Sequence, residues 1–316
     1  MNRIVEAIIN EIERSVIGKR FVIERVLMAL LADGHILLDD VPGTGKTNLA
    51  LAVSRALGMK FGRLQCTPDV LPSDITGFSV YDREKGDFSY RPGIVNHTNL
   101  LLADEINRTS SKTQSALLEA MEERQVSVDG QVHPLPKPFV VIATQNRVGT
   151  TGTQPLPYAQ MDRFMVQLSI GYPDVDSQVT ILRDRLQGNP LEQVRRIISG
   201  EDFCRLQEFV RQIAVSDAIL EYIAQIARAS RMDPALKLGI SPRGALALCS
   251  MARSCAFMHG RRFVLPEDVR EVFPEVCAHR VLPIQGEETE EALRRLLAGV
   301  PVPDQKLADP EPAAGE

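Results

Sequence analysis

Tryptophan is absent from this 316-residue sequence, aromatics make up only 5% of it, and its five cysteines are an odd number with no C-x-x-C among them. Cys66, Cys204, Cys249, Cys255 and Cys277 therefore indicate neither a disulfide framework nor a zinc ribbon, and a reducing cytoplasm fits them best. Cys255 and His259 stand four apart and could share a helix face, but two ligands do not close a metal site and buried free cysteine is common. No apolar run approaches the roughly 18 residues needed to cross a bilayer. The opening MNRIVEAIINEIERS carries charge through what would have to be the apolar core of a signal. A soluble chain without membrane insertion is expected. Long Lys/Arg runs are missing as well. The 36 basic and 41 acidic side chains give a net charge of -5, the wrong sign for a protein whose main business is coating nucleic acid.

What is there is enough for two domains with real cores, since 44% of the residues are hydrophobic. Helical periodicity opens the chain, with Val5, Ile8, Ile9 and Ile12 on one face, then Val22, Val26, Leu27 and Leu30 after Gly18. Strands are predicted at Ile36 to Asp39, Phe61 to Cys66, Leu100 to Ala103 and Phe139 to Ala143, with helices between several of them, as at Asn48 to Leu57 and Lys112 to Glu123. Three of these strands are near-continuous apolar runs, the mark of a parallel sheet buried on both faces, and the alternation argues for an α/β layer sandwich. Two hairpins interrupt it. One turns on Asp129-Gly130; the other runs from Gly77 to Tyr90 and carries Phe78, Tyr81 and Phe88 as either a contact surface or a small satellite core. From about Pro173 the chain reads as helical throughout. Ser199 with Asp202, Ser216, and Ser241-Pro242 mark helix starts, another helix begins near Pro266, and Glu290/Arg294 and Glu291/Arg295 form (i, i+4) pairs on a last one. The proline-rich acidic stretch from Pro301 cannot bury a core and is expected to be disordered.

The string Asp39-Asp40-Val41-Pro42-Gly43-Thr44-Gly45-Lys46-Thr47 follows an apolar strand and precedes a helix beginning Asn48-Leu49-Ala50, which is the context a P-loop requires. Gly43 and Gly45 let backbone N–H groups turn toward phosphate, Lys46 reaches the terminal phosphates, and the Thr47 hydroxyl is offered to Mg²⁺. The usual pattern has glycine where Asp40 stands. Downstream, the strand Leu100 to Ala103 ends in Asp104 and Glu105, where the first carboxylate is placed to hold the Mg²⁺ shell and the second to polarise a water for attack on a γ-phosphate. That doublet favours hydrolysis over transfer to a small acceptor.

With these residues in view, the chain resembles the MoxR family of AAA+ ATPases over nearly its whole length, up to about Leu297. The resemblance rests on Thr67-Pro68-Asp69, Leu71 to Gly77 (LPSDITG), Arg91-Pro92-Gly93, Ala103 to Arg108 (ADEINR), Lys112 to Arg124 (KTQSALLEAMEER), Ala143-Thr144-Gln145-Asn146, Pro155-Leu156-Pro157, Asp162-Arg163-Phe164 and Ser241-Pro242-Arg243. It implies a three-layer αβα P-loop NTPase core over residues 1–172, a small all-α lid over 173–300, and a tail over 301–316. It also implies ATP and Mg²⁺ as cofactors, with Pro42 to Asn48 and Asp104 holding them. In the family pattern Asn146 matches sensor 1, Arg163 the arginine finger inserted into a neighbouring subunit's site, and Arg243 the lid cation called sensor 2. The alternative for each arginine is a surface ion pair. The family also often carries an acid at the place of Asp40.

The resemblance implies a ring, hexameric by expectation. Its ATPase cycle would move the lid against the core and so remodel, mature or insert a metal cofactor into a protein partner, by analogy one bearing a von Willebrand factor A domain. The segment from Thr76 to Pro92 looks like the family's helix-2 insert and Gln125 to Leu135 like the hairpin before sensor 1. The sequence departs from the family at Arg147, where proline is usual, and at Val148 to Gln154, which lacks acids; Arg147 reads better as a surface substitution than as a second trans-acting cation. Arg108 is a further finger candidate. The alternatives are a nucleic-acid-stimulated motor, disfavoured by the net charge, and a nucleotide-gated scaffold with little turnover, disfavoured by intact Lys46, Asp104, Glu105 and Asn146.

Overall fold

Residues 2–84, 86–146 and 156–303 are described by the computed structural model. Residues 147–155 and 304–316 lie outside them, so the readings placed on Arg147, on Val148 to Gln154 and on the end of the chain go no further. Helix α1 (Arg3–Glu13) buries Val5, Ile8, Ile9 and Ile12, the predicted stripe, and begins where the Asn2 side chain accepts the N–H of Ile4. Helix α2 (Arg20–Leu31) is buried nearly all round, because two layers pack against it.

Five parallel strands follow: β1 (Ile36–Asp39), β2 (Phe61–Gln65), β3 (Leu100–Asp104), β4 (Val140–Gln145) and β5 (Val166–Leu168), in the spatial order β2-β3-β4-β1-β5. β1, β3 and β4 are interior strands buried on both faces, whereas β2 is a half-exposed edge, which is why its sequence reads as mixed. β5 is the strand the sequence does not announce, at only three residues. Alternate residues divide between two cores. Ile36, Leu38, Leu100, Leu102, Val140 and Ile142 face α1, α2 and α3 (Lys46–Ala56), while Leu37, Leu101, Ala103, Val141 and Ala143 face α4 (Ser111–Glu123). This is the three-layer α/β arrangement.

Beyond Pro173 come α5 (Val175–Gln187), α6 (Gly200–Arg211), α7 (Asp217–Met232), α8 (Pro242–Met258), α9 (Pro266–Cys277) and α10 (Thr289–Gly299). One short antiparallel pairing, Leu236–Leu238 with Leu282–Pro283, interrupts the helices. Ser199 and Ser241 cap α6 and α8 by accepting the N–H groups of Asp202 (3.1 Å) and Gly244 (3.0 Å). Ser216 occupies the N-cap of α7, but its buried hydroxyl makes no capping bond. The (i, i+4) pair expected at Glu291/Arg295 is not formed; Arg295 turns instead to Asp233 (3.0 Å) at the end of α7 and to Glu287, which tethers α10 to its neighbours. Phe203, Tyr222, Met251 and Phe273 of this helical unit belong to the same apolar core as Ile8, Ile23 and Leu30, and Gln207 donates to the Leu30 carbonyl at 2.7 Å.

Both hairpins form. Phe78–Asp82 pairs with Asp87–Arg91, and Gln125–Val128 with Gln131–Pro134 around Asp129 and Gly130, whose φ of 50° and 77° suit a two-residue turn. The Tyr90 and His133 rings stack at 3.7 Å and bind the two hairpins together. Phe78, Tyr81 and Phe88 remain half or more exposed, so the satellite-core reading of that hairpin fails for them. No helix is long and apolar enough to cross a membrane among the described residues.

Two buried histidines make the fold pH-sensitive. His35 accepts the N–H of Val141 at Nδ1 (2.9 Å) and faces the Met121 carbonyl through Nε2 (3.1 Å), a network that assigns the proton to Nε2. Burial first, then Arg124, holds His35 well below the ordinary 6.5, and burial with Arg280 does the same to His279. The unfolded chain therefore takes up protons that the folded chain refuses. Stability is complete above the ordinary histidine value and is lost as pH falls below it, by up to about 1.4 kcal/mol per pH unit for each histidine. Urea unfolding between pH 7 and pH 5 should show this slope, and His35→Gln should lower it to the share that His279 contributes; an unchanged slope in that variant would contradict the assignment.

Candidate active site

The chain leaves β1 through Asp39 and Asp40 and turns back into α3. Gly43 and Gly45 hold φ of 85° and 91°, and a Cβ at either would meet nothing within 4 Å, so backbone conformation rather than crowding calls for glycine here. Gly45 is the N-cap of α3 and offers no side-chain cap, leaving the first N–H groups of the helix free for an anion. Asp40 has a structural task. Its carboxylate accepts the N–H groups of Val41 (2.8 Å), Ile170 (2.7 Å) and Gly171 (2.7 Å), which pins the start of the loop to the chain leaving β5.

Lys46, 8% exposed, donates to the carbonyls of Asp40 (2.7 Å) and Val41 (3.0 Å) and to Oδ1 of Asn146 (3.0 Å). Asn146 in turn donates to Oε1 of Glu105 at 2.8 Å. Glu105 sits at φ 57°, a left-handed conformation that turns it out of β3. Its other oxygen accepts from Arg108 (2.8 Å) and Gln65 (3.3 Å). Asp104 accepts from the Thr144 hydroxyl (2.7 Å) and from Arg63 (2.7 Å), and the same hydroxyl receives the Glu105 N–H at 2.9 Å. One threonine thus sets the register of both acids. Four of the residues singled out from the sequence, Lys46, Asp104, Glu105 and Asn146, meet at the C-terminal edge of the sheet. Arg63, Gln65 and Thr144 were not singled out; the period-2 placement of Arg63 and Gln65 on one strand was the available signal.

Burial lowers Lys46 from its ordinary value, against the opposing pull of Asp40, Asp104, Asp39 and Glu105. The neighbouring Cys66 thiol is pushed up to about 12, by burial first and then by Asp104 and Glu105. Burial sets the direction of both shifts, and the carboxylates that act on each group form a cluster of negative charge suited to a cation. The Asp104 carboxylate at the end of β3 and the Thr47 hydroxyl in the first turn of α3 are donors of the kind that suit Mg²⁺ accompanied by phosphate. Gly43, Thr44, Gly45 and Asn48 also form one wall of a cavity of about 330 Å³, whose apolar side is built by Val16, Ile17, Ile181 and Leu191 and whose rim carries Tyr172 and Arg185. It has the size and mixed polarity of a small-ligand pocket. Pro42 is exposed at the tip of the loop.

Arg163 and Arg243 are elsewhere. Arg163 precedes β5 and lines a depression with Gly34 and His35, which precede β1, so it lies at the N-terminal edge of the parallel sheet, opposite Lys46. Arg243 opens α8 on the same depression and reaches Glu122 of α4 at 2.8 Å. Neither joins its own chain's phosphate loop. Arg108, the further finger candidate, is paired within its own chain to Glu105. Cys255 and His259 do come within 4.8 Å of a third group, Asp268. That carboxylate is gripped on both oxygens by Arg261 (2.6 and 2.5 Å), and burial pushes the Cys255 thiol up, so the trio is a packing network rather than a ligand set.

Residues 35–166 match the family described as "ATPase family associated with various cellular activities (AAA)", and residues 228–296 match an "AAA lid domain". The chain is 44% identical over 305 residues to "Uncharacterized protein YeaC" of Bacillus subtilis, covering 95% of each. It is 40% identical to "Chaperone MoxR1" of Mycobacterium tuberculosis over 88% of this chain and 75% of that one. A solved structure from Cytophaga hutchinsonii, titled a "putative ATPase", superposes with a TM-score of 0.87 at 34% identity over 96% of both chains.

Thr144→Val keeps the shape of β4 but removes the hydroxyl that aligns both acids. It should lower kcat for ATP hydrolysis by about 10- to 100-fold with little change in KM; a wild-type kcat would mean that the two carboxylates hold their places without it.

Proposed function

Because the chain belongs to the MoxR family of AAA+ ATPases, we propose that it hydrolyses ATP at a site shared between two copies. The core, residues 1–172, supplies the phosphate loop and acids of one copy, and the next copy supplies Arg163 and Arg243. The observation that carries this reading is the separation of two groups of residues. The carboxylates and Lys46 stand at one edge of the sheet and the two arginines at the other, so within one chain the arginines cannot meet the phosphates. Head-to-tail contact brings opposite edges together, and such contacts close into rings, here of six copies. The side chain of Arg163 has no hydrogen-bond or ion-pair partner among the described residues. A second feature supports a chain-to-chain contact beside the pocket. Val175, Val179, Leu182 and Leu186 form an exposed apolar stripe on α5, while Gln178, Ile181 and Arg185 of the same helix line the cavity.

Within that site Lys46 and the N–H groups of the phosphate loop neutralise the β- and γ-phosphates, and Asn146 holds the attacking water. Glu105 takes a proton from that water once it is released from Arg108. Bound Mg²⁺, held by Thr47 and Asp104, would withdraw charge from the phosphate oxygens. Arg163 of the neighbour stabilises the charge that develops as the bond to the leaving phosphate breaks. The work is remodelling, maturation or metal-cofactor insertion on a protein partner in the cytoplasm, by analogy one with a von Willebrand factor A domain. The exposed Phe78, Tyr81 and Phe88 of the first hairpin and the helical lid over 173–300 are the surfaces that would convey it.

Arg163→Ala and Glu105→Gln chains should each be nearly inactive. Mixed in equal amounts they should recover about a quarter of the wild-type rate, the share of interfaces that pair a sound acid with a sound arginine. Mixed assemblies that form without regaining activity would refute the shared site.

A further inference from the structure

Arg280 follows α9 and is buried, its side chain 2% exposed. Its guanidinium donates to Oδ1 of Asp162 (2.8 Å) and to the carbonyls of Asp162 (3.1 Å), Phe164 and Met165 (3.0 Å). Those acceptors bracket Arg163 on both sides along the chain. Further donations go to the Val276 carbonyl at the end of α9 and toward His279. The second Asp162 oxygen accepts the Ser241 hydroxyl (2.7 Å), the cap of the helix on which Arg243 sits. The stem of Arg280 packs under that same turn, since a Cβ at Gly244 would stand 2.7 Å from its Cδ. One planar cation therefore holds the backbone around Arg163 and, through Asp162 and Ser241, the first turn around Arg243. In the string Asp162-Arg163-Phe164 the three side chains differ in their tasks: the aspartate joins the clamp at the wall of the depression, the phenylalanine is fully buried, and the arginine lines the depression outside the clamp.

A buried cation is an expensive way to stabilise a fold, because well-packed apolar residues often do as well or better. What a guanidinium supplies and an apolar group cannot is a rigid fork of donors that fixes several carbonyls at once. We propose that Arg280 is a positioning residue that sets the aim of Arg163 and Arg243 together toward a neighbouring chain. Its loss impairs the neighbour's site and spares its own. The inference rests on the shared-site reading above and names the residue on which that reading's geometry depends.

The test uses the full chain carrying Arg280→Lys, which retains charge without the fork. Binding of a fluorescent ATP analogue should stay within about threefold of wild type, and KM for ATP likewise, while kcat falls by about 10-fold or more because the arginines are misaimed by an ångström or so. Mixed with Glu105→Gln chains, whose arginines are sound, Arg280→Lys should recover activity; mixed with Arg163→Ala it should not. A purely structural role would lower thermal stability and ATP binding together, and its deficit would persist in the Glu105→Gln mixture. The Arg163→Ala with Glu105→Gln mixture is the control. If that control recovers and the Arg280→Lys mixture does not, the inference is overturned while the shared site stands; if the control fails, the shared site itself is wrong. Should Arg280→Lys not fold, Ser241→Ala cuts only the outer link of the clamp. The same mixtures should then show a several-fold loss of kcat that Glu105→Gln chains repair, and an undiminished kcat would count against the proposal.

Discussion

Every strand of a parallel sheet ends at the same edge, and this chain places Asp104 and Glu105 with Lys46 at one edge and Arg163 and Arg243 at the other. The turn after β1, the acids ending β3 and the amide after β4 converge on Lys46 because the register of β3, β4 and β1 brings their ends level. The loop before β5 and the first turn of α8 converge at the other edge on Arg163 and Arg243. No side-chain rotation can bridge the length of a strand, so the two groups of residues are separated by the same backbone geometry that builds each of them.

The acidic half is held in a resting arrangement. Both carboxylate oxygens of Glu105 are occupied, one by Asn146 and the other by Arg108 and Gln65, and Asp104 is held by Thr144 and Arg63. Asp40 anchors the phosphate loop to the chain that leaves β5, and Arg280 clamps the chain that enters it. The three-residue strand between these anchors links the edges of the sheet, which gives so short an element its importance.

Local chemistry was legible in the sequence, and long-range chemistry was not. The phosphate loop could be read because its glycines, lysine and threonine follow one another between a strand and a helix, and the acid pair because it ends an apolar run. β1, β3 and β4 were visible because burial on both faces leaves continuous apolar strings. β5 was missed because three residues carry no period. Glu291/Arg295 was read as a helical pair because spacing alone cannot know that Asp233, 62 positions away, offers a closer partner. Likewise nothing local distinguishes Arg280 from a surface arginine; its role follows from Asp162, 118 positions earlier. The arginine in Asp162-Arg163-Phe164 was named from resemblance, but its direction, away from its own nucleotide site, required the fold.

The central claim, that one chain alone lacks a complete site, is tested most directly by the ATPase rate per chain as a function of protein concentration, with assembly followed in parallel by sedimentation. The account predicts a rate per chain that rises with concentration in step with assembly and then levels off. A rate per chain that stays constant down to concentrations where every molecule sediments as a monomer would contradict it.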